Sequence, residues 1–421
     1  MEMQSMQEKL KKIQNEEEEK SITFIRSQFG KHSKILDISN KYLVKEAFEY
    51  FVVCLTSHFK NYNTYRSLVL ENCLLTNVVI SKLFTSLTKL KIRHFITSFD
   101  VANNQVEISE KIAKKLVKFL EKSVKSKPIK LNLQGNIVSS PVAVNAILSI
   151  TRDFKELSLY DTRLSAEALL ALSEFIAKNK SILKLDLSYN PTAFTNADIV
   201  QTFGISVGIN NKIESLNLSG NSTIHKDVIF IKFLSGISTN TSLIELNLGN
   251  LGLRDRAVEI ICKVLFPVMP LMELDLQSNC ISCKAFDLLL SNLPDFITSL
   301  DVSYNDFRSN SILESLGKHF KTNRTLRKLN ISYSIELMSL DVNALDNFCR
   351  GITENISLSE LWCEGIKIGE DPDEFCSKVG EAISNRKYSL TFKISAVNCF
   401  SGSQDNSCIS KNSSKQPFKF A

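Results

Sequence analysis

Residues Ile182–Asn190 read ILKLDLSYN, with apolar residues at phrase positions 1, 4 and 6 and Asn at position 9. The phrase returns as IESLNLSGN ending at Asn221, LMELDLQSN ending at Asn279 and ITSLDVSYN ending at Asn305, with a looser copy, ITSFDVANN, ending at Asn104. With the fourth position as register mark, about thirteen copies start the pattern at Leu36, Leu68, Phe99, Leu131, Leu157, Leu185, Leu216, Leu246, Leu274, Leu300, Leu329, Leu361 and Phe392. Copies lie 26 to 32 residues apart. That period marks a solenoid, in which each unit buries its apolar face only by stacking on its neighbours.

The alternation x-L-x-L within each copy predicts a short half-buried strand. Connections of constant hand make neighbouring strands parallel. A helix signal follows each strand. Ser140-Pro141 offers an N-cap with Pro at the first helical position, Ser109 and Ser165 precede helical runs, and Ser311 with Glu314 has capping-box spacing. Ala257, Ile260, Ile261 and Val264 then recur at helical period. Asn-x-Ser/Thr-Leu/Ile at Asn179, Asn240, Asn323 and Asn355 predicts a helix exit in which Asn takes the left-handed conformation. Strands stack about 4.8 Å apart, whereas helices need roughly 8–10 Å. The coil must therefore bend, with helices outside and a parallel sheet inside. Asn at position 9 turns into the loop to satisfy backbone groups there. Cys73, Thr162, Leu251, Ser334 and Ile366 replace it in other units.

These residues resemble leucine-rich repeats, LxxLxLxxN/CxL, over roughly residues 31–397. Units with a full helix are similar to the ribonuclease-inhibitor-like class. That class includes the Ran GTPase-activating protein, the sensor domains of nucleotide-binding immune receptors and the actin-capping tropomodulins. The resemblance implies an α/β leucine-rich-repeat solenoid, a horseshoe with inner parallel β-sheet and outer α-helices. Residues 1–30 are charged, with Met3, Met6, Leu10 and Ile13 on one face of a possible helix. They read as a cap over the first repeat or, alternatively, as a short partner-binding coiled coil, whose heptad fails at Glu17 and Lys20. Residues 398–421 are rich in Ser, Asn and Lys, and disorder is expected there.

Composition bounds the function. Lys and Arg exceed Asp and Glu by 51 to 45, a net charge of +6 too diffuse to argue nucleic-acid binding. No apolar run is long enough to span a membrane, and the N-terminus MEMQSMQEKLKKIQNEEEEK is unlike a secretion signal. The ten Cys lack a framework spacing, so the expectation is a reduced chain in the cytoplasm. Sequons at Asn217 and Asn330 fall on predicted strands, where a glycan does not fit.

Chemical motifs are sparse. Cys280-Ile-Ser-Cys283 is the one CxxC, and the five His are scattered, so no zinc site is assigned. No phosphate-binding loop of the GxxxxGKS/T or GxGxxG type is present in the sequence. No catalytic residue, cofactor or metal is expected. Asp186, Asp275 and Asp301 share position 5, where neighbouring acids repel one another.

Aromatic residues give the sharper signal. Positions 3, 5, 7 and 8 are expected to line the inner sheet. Tyr189, Tyr304 and Tyr333 stand at position 8, Tyr160 at position 7, and the single Trp, Trp362, at position 5. Glu245, Glu273, Asp275, Asp301, Glu360 and Glu364 lie around them. Tyr and Trp are frequent interface anchors. Tyr160, Tyr189, Tyr304, Tyr333, Trp362, Asp275, Asp301 and Glu364 are therefore the candidate partner-binding residues, the alternative being rings that merely pack on one another.

The expected function is a non-catalytic protein–protein interaction scaffold: a monomer binding a protein partner, with no nucleic acid and no membrane. Two alternatives follow from the resemblance. A GTPase activator similar to the Ran activator would have the same repeat, but this chain ends in KNSSKQPFKFA, without that family's acidic tail, and lacks its Leu-Gly…Gly-Ala turn. A structural subunit of a cytoskeletal or ciliary assembly is the other.

Overall fold

A computed structural model describes residues 2–29, 33–43, 45–61, 65–89, 96–124, 130–150, 154–369 and 372–398. The chain divides into two compact units, Met1–Ile213 and Glu214–Ala421. Each is an α/β repeat solenoid built from strand–turn–helix rungs.

In the first unit α1 (Glu2–Gln28) precedes β1 (Ile35–Asp37), α2 (Lys45–Asn61), β2 (Ser67–Val69), α3 (Asn77–Lys89), β3 (Ser98–Asp100), α4 (Glu110–Val124) and β4 (Lys130–Asn132). Then come α5 (Pro141–Ile150), β5 (Glu156–Ser158), α6 (Ala166–Lys178), β6 (Lys184–Asp186) and α7 (Ala197–Ile209). The strands pair in parallel and in chain order, Leu36 opposite Leu68, Leu131 opposite Leu157, Leu157 opposite Leu185. The second unit runs β7 (Ser215–Asn217), α8 (Asp227–Ile237), β8 (Glu245–Asn247), α9 (Asp255–Val264), β9 (Glu273–Asp275), α10 (Cys283–Ser291) and β10 (Ser299–Asp301). It continues with α11 (Ser311–Thr322), β11 (Lys328–Asn330), β12 (Glu336–Leu337), α12 (Val342–Glu354), β13 (Glu360–Ile368), α13 (Pro372–Ser384) and β14 (Thr391–Asn398). β13 pairs with β11 through its first residues, with β12 through its last, and with β14 on its other side, all in parallel.

The pattern dictates this register. Every fourth-position residue from Leu36 to Leu361 is at most 3% exposed, and the sixth-position residues are buried beside them. A slip of one residue would turn both rows to solvent. Phe392 and Ile394, on the last strand, are only half-buried. Helices close the other side of each core. In α9, Ala257, Val258, Ile260 and Ile261 point inward. In α11 and α12 the backbones approach so closely that a Cβ on Gly351 would lie 2.6 Å from the carbonyl oxygen of Gly317.

The ninth-position Asn does what the sequence predicts. Asn279 Nδ2 donates to the carbonyls of Leu248, Leu276 and Gln277, at 3.0, 2.9 and 3.2 Å. Its Oδ1 accepts from Leu251 and Leu253 N–H. Asn190 and Asn104 bridge their rungs in the same way. Thr162 and Ser334 replace part of this bonding with a hydroxyl, and Cys73 with a thiol.

Two predicted details are different in the structure. The helix-exit Asn residues are extended, not left-handed: Asn179, Asn323 and Asn355 have φ near −70°. They act through the side chain. Asn355 Oδ1 accepts from Ser357 and Leu358 N–H, while Nδ2 reaches back to the Phe320 carbonyl, 2.8 Å away. An extended backbone leaves that amide free to join two rungs, a second ladder on the opposite side of the strands. Ser311 does not cap α11 either. Asn310 precedes the helix with its amide spent on Ser339 and Asp341 of the next turn, and Ser311 enters the first helical turn.

At the N-terminus, the second half of α1 lies on α2. Ser21 Oγ accepts from Tyr42 N–H, Glu18 accepts from Ala47 N–H at the start of α2, and Ile25 is buried. Tyr65 donates to the Gln28 carbonyl. The side chains of Met3, Met6, Leu10 and Ile13, and the expected tail from residue 399 onward, lie outside the described residues.

Candidate interaction surface

The sheet face opposite the helices carries positions 3, 5 and 7. In the second unit, position 5 forms a row in register across neighbouring strands: Asn217, Asn247, Asp275, Asp301, Asn330, Trp362 and Lys393. Its Asn and Asp residues share a structural duty that sequence reasoning missed. Each accepts the N–H two residues on, as Asn247 does from Gly249 (2.8 Å), Asp275 from Gln277 (2.9 Å) and Asp301 from Ser303 (2.9 Å). This side-chain turn stops the strand after three residues. Asn and Asp perform it equally well, so the choice of Asp in two adjacent rungs has another consequence.

That consequence is electrostatic. Asp301 is satisfied, accepting also from Ser303 Oγ (2.6 Å) and Asn330 Nδ2 (2.8 Å). Asp275 sits beside it. Its carboxyl is pushed up to about 6, first by burial and then by the Asp301 charge, against the lowering effect of Gln277. Glu245, Glu273, Asp275 and Asp301 line a shallow depression of about 340 Å³ with Asn217 and Asn247. The Gly249 backbone lies close against these groups, since a Cβ there would meet Gln277 Cγ at 2.9 Å and Asp275 Oδ1 at 3.3 Å. Among the described residues no Lys, Arg or His lies within ion-pair distance of these four acids. On β11–β14 the acids are compensated instead: Lys328 pairs with Glu360 (3.2 Å) and Lys393 with Glu364 (3.8 Å).

The tyrosines are not on the sheet, which corrects the expectation for position 8. In twelve rungs that position is a left-handed residue, in the turn after the strand in eleven and at an irregularity within β13 for Gly365. Most rungs fill it with residues suited to that backbone: Asn40, Asn72, Asn103 and Asn250, Gly135, Gly220 and Gly365, Asp161 and Ser278. Tyr189, Tyr304 and Tyr333 are the exceptions, with φ of 56°, 55° and 56°. They stand on the rim beside the strand ends. The enrichment in Asn and Gly at position 8 was the signal in the sequence.

Tyr304 and Tyr333 stack with centroids 4.8 Å apart and planes 11° from parallel, yet remain 53% and 51% exposed. The far side of Tyr333 rests on Gly365, where a Cβ would fall 2.2 Å from the ring. Trp362 is brought onto the adjacent rung, but on the strand. Lys393 Nζ lies 5.0 Å above its ring, and Trp362 makes no ring–ring contact among the described residues. Glu364 receives the Tyr333 N–H on its carbonyl oxygen. Tyr160 and Tyr189 form a separate pair in the first unit, centroids 5.2 Å apart and tilted by 51°. Burial and the neighbouring Tyr189 raise the Tyr160 hydroxyl above its ordinary value.

Other chemistry is thin. Cys280 is exposed and Cys283 half-buried at the start of α10, and burial holds the Cys283 thiol up, away from the reactive thiolate. No group of three His, Cys, Asp or Glu among the described residues is placed to hold a metal ion. None of the described helices is long and apolar enough to cross a membrane.

The arrangement defines a leucine-rich helix–strand repeat protein with an aromatic and acidic surface in its second unit. No family model matches the chain. A comparison with curated proteins likewise finds no match. Among solved structures, the chain is similar to the tropomodulin C-terminal domain of Caenorhabditis elegans, at 13% identity and a TM-score of 0.31, over 38% of this chain and 93% of that one. A likeness of that degree carries no functional argument, and the fold stands on strand register and helix packing.

Proposed function

We propose that the chain is a non-catalytic protein-interaction module of the cytoplasm, ribonuclease-inhibitor-like in repeat class because its rungs carry full helices. The second unit binds a protein partner through the sheet face and turn rim of β9–β13. One observation carries this reading. At positions where its other rungs use residues that suit the fold, the chain keeps residues that cost it stability. A left-handed backbone costs a non-glycine residue about 1–2 kcal/mol, and least for Asn. Tyr304 and Tyr333 bear that cost in adjacent rungs while half-exposed, and stacking returns only about 0.5–1.5 kcal/mol. Stability alone favours Asn or Gly there, so the rings answer to something outside the fold. Exposed aromatic anchors edged by acids are the residues of an interface.

The test is the triple variant Tyr304→Ala, Tyr333→Ala, Trp362→Ala. Proximity labelling and mass spectrometry compare its partners with those of the unaltered chain, and circular dichroism checks the fold. Loss of partners with the fold kept supports the module. An unchanged partner set with unchanged dichroism removes it.

A further inference from the structure

The aromatic ladder has an order along the rungs. Gly365, Tyr333, Tyr304 and Ser278 occupy the same left-handed position in successive rungs. Gly365 closes one face of Tyr333, and Tyr333 covers one face of Tyr304. The next residue is Ser278, whose short side chain cannot cover a phenol ring. The outer face of Tyr304 is therefore presented along the ladder toward β9. A planar group lying over Ser278 would continue the stack at the spacing the two tyrosines already have. The same rung and its neighbours supply Glu273, Asp275, Asp301 and Glu245, whose charges no cation among the described residues compensates.

We infer that this surface takes an arginine of the partner, its guanidinium stacked on Tyr304 over Ser278 and its charge drawn by Asp275 and Asp301, the acids whose carboxylates bond to the turns that carry this ladder. The assignment rests on the reading of this face as protein-binding and adds the chemistry of what docks there. Two requirements select it. The free aromatic face asks for a plane, and the acids ask for a positive charge. A guanidinium meets both, whereas an ammonium has charge without a plane and an aromatic ring has a plane without charge. A nucleic acid would bring stacking bases, but its phosphates would face four carboxylates. Asp275 adds a pH signature. Its carboxyl is held up by burial and by Asp301, so a docked cation draws it to the ionised form, and binding weakens as pH falls below about 6.

Fluorescein-labelled (Gly-Ser-Arg)4 and (Gly-Ser-Lys)4 peptides, titrated with the full chain and followed by anisotropy, test this. The arginine peptide is expected to bind about fivefold tighter than the lysine peptide, the scale of a cation–π contact at an exposed site. Tyr304→Ser removes the preference and leaves the lysine peptide within about twofold of its original affinity, because the charges remain. Ser278→Tyr, which covers the Tyr304 face without deleting it, removes the preference too. The double variant Glu273→Gln, Asp275→Asn weakens both peptides and abolishes the pH dependence. Equal affinity for the two peptides, binding of neither, or a preference that survives Tyr304→Ser overturns the assignment. If neither peptide binds while the triple alanine variant still loses its partners, the docking face stands and the arginine falls.

Discussion

Asp275→Asn isolates one electrostatic cost in the fold. The wild-type carboxyl titrates near 6 in the folded chain against an ordinary value of 3.8. The folded state therefore holds its proton more tightly than the unfolded state. The stability this confers is complete below pH 3.8 and is lost as pH rises through 6. Above pH 6 the ionised group sits half-buried beside Asp301 with no cation near. The span between the two values corresponds to about 3 kcal/mol at full strength, and water at the open sheet face lowers this toward about 1–2 kcal/mol. Asn keeps the turn, since Asn247 and Asn217 accept the same N–H in neighbouring rungs. The variant should then be more stable than the wild type at pH 8 and equal to it near pH 4. Urea unfolding at half-unit intervals from pH 4 to 8 measures this as the difference between the two chains. Taking the difference matters because His319 titrates in the same window with the opposite sign, and it cancels. Parallel stability profiles for the two chains, or an Asn variant less stable at pH 8, would refute the argument that burial and Asp301 together penalise this carboxylate.

Three further outcomes are expected. Gly351→Ala forces α11 and α12 apart, because its Cβ would stand 2.6 Å from the Gly317 oxygen; a loss of about 1–3 kcal/mol should appear in thermal unfolding. Asn279→Ala strips five hydrogen bonds and leaves the N–H groups of Leu251 and Leu253 buried without that acceptor. A loss of more than about 2 kcal/mol, with faster amide exchange at those two residues, checks it. His319, whose buried Nε2 has no partner, is held neutral down to about pH 4 against an ordinary 6.5. The unfolded chain protonates first, so stability falls as pH drops from 6.5 toward 4; His319→Gln should flatten that limb in hydrogen exchange of α10 and α11.

The fold was legible because burial of Leu at positions 4 and 6 admits one register. Leu185 falls opposite Leu157, and Leu216 opposite Leu246, as the phrase alone predicts. Rung membership was legible for the same reason, which brought Tyr304, Tyr333 and Trp362 to neighbouring strands. Backbone conformation within the turns was not. Asn can end a helix by turning left-handed or by bonding through its amide, and the sequence around Asn355 suits both. The choice depends on the Phe320 carbonyl, supplied by the previous rung. Likewise Tyr at position 8 looks like a strand residue until the turn is seen, because bulky side chains seldom adopt a positive φ. Trp362 was grouped with the tyrosines by rung but lies on the strand, where Lys393 covers it.

A repeat protein is its own control experiment. Twelve rungs place a left-handed residue at position 8, and nine use Asn, Gly, Asp or Ser there. The three that do not are therefore departures measured against the same chain. Two of them are adjacent, stacked and exposed, and β9 and β10 carry two aspartates in register where β7, β8 and β11 carry Asn217, Asn247 and Asn330. On β9–β11 two of the three tyrosines fall beside two aspartates, whereas on β6 Asp186 and Tyr189 occur singly; the pairing is what the proposed docking face draws on. A rigid sheet makes the pairing effective, because strands about 4.8 Å apart hold ring and carboxylates at fixed spacing before any partner arrives.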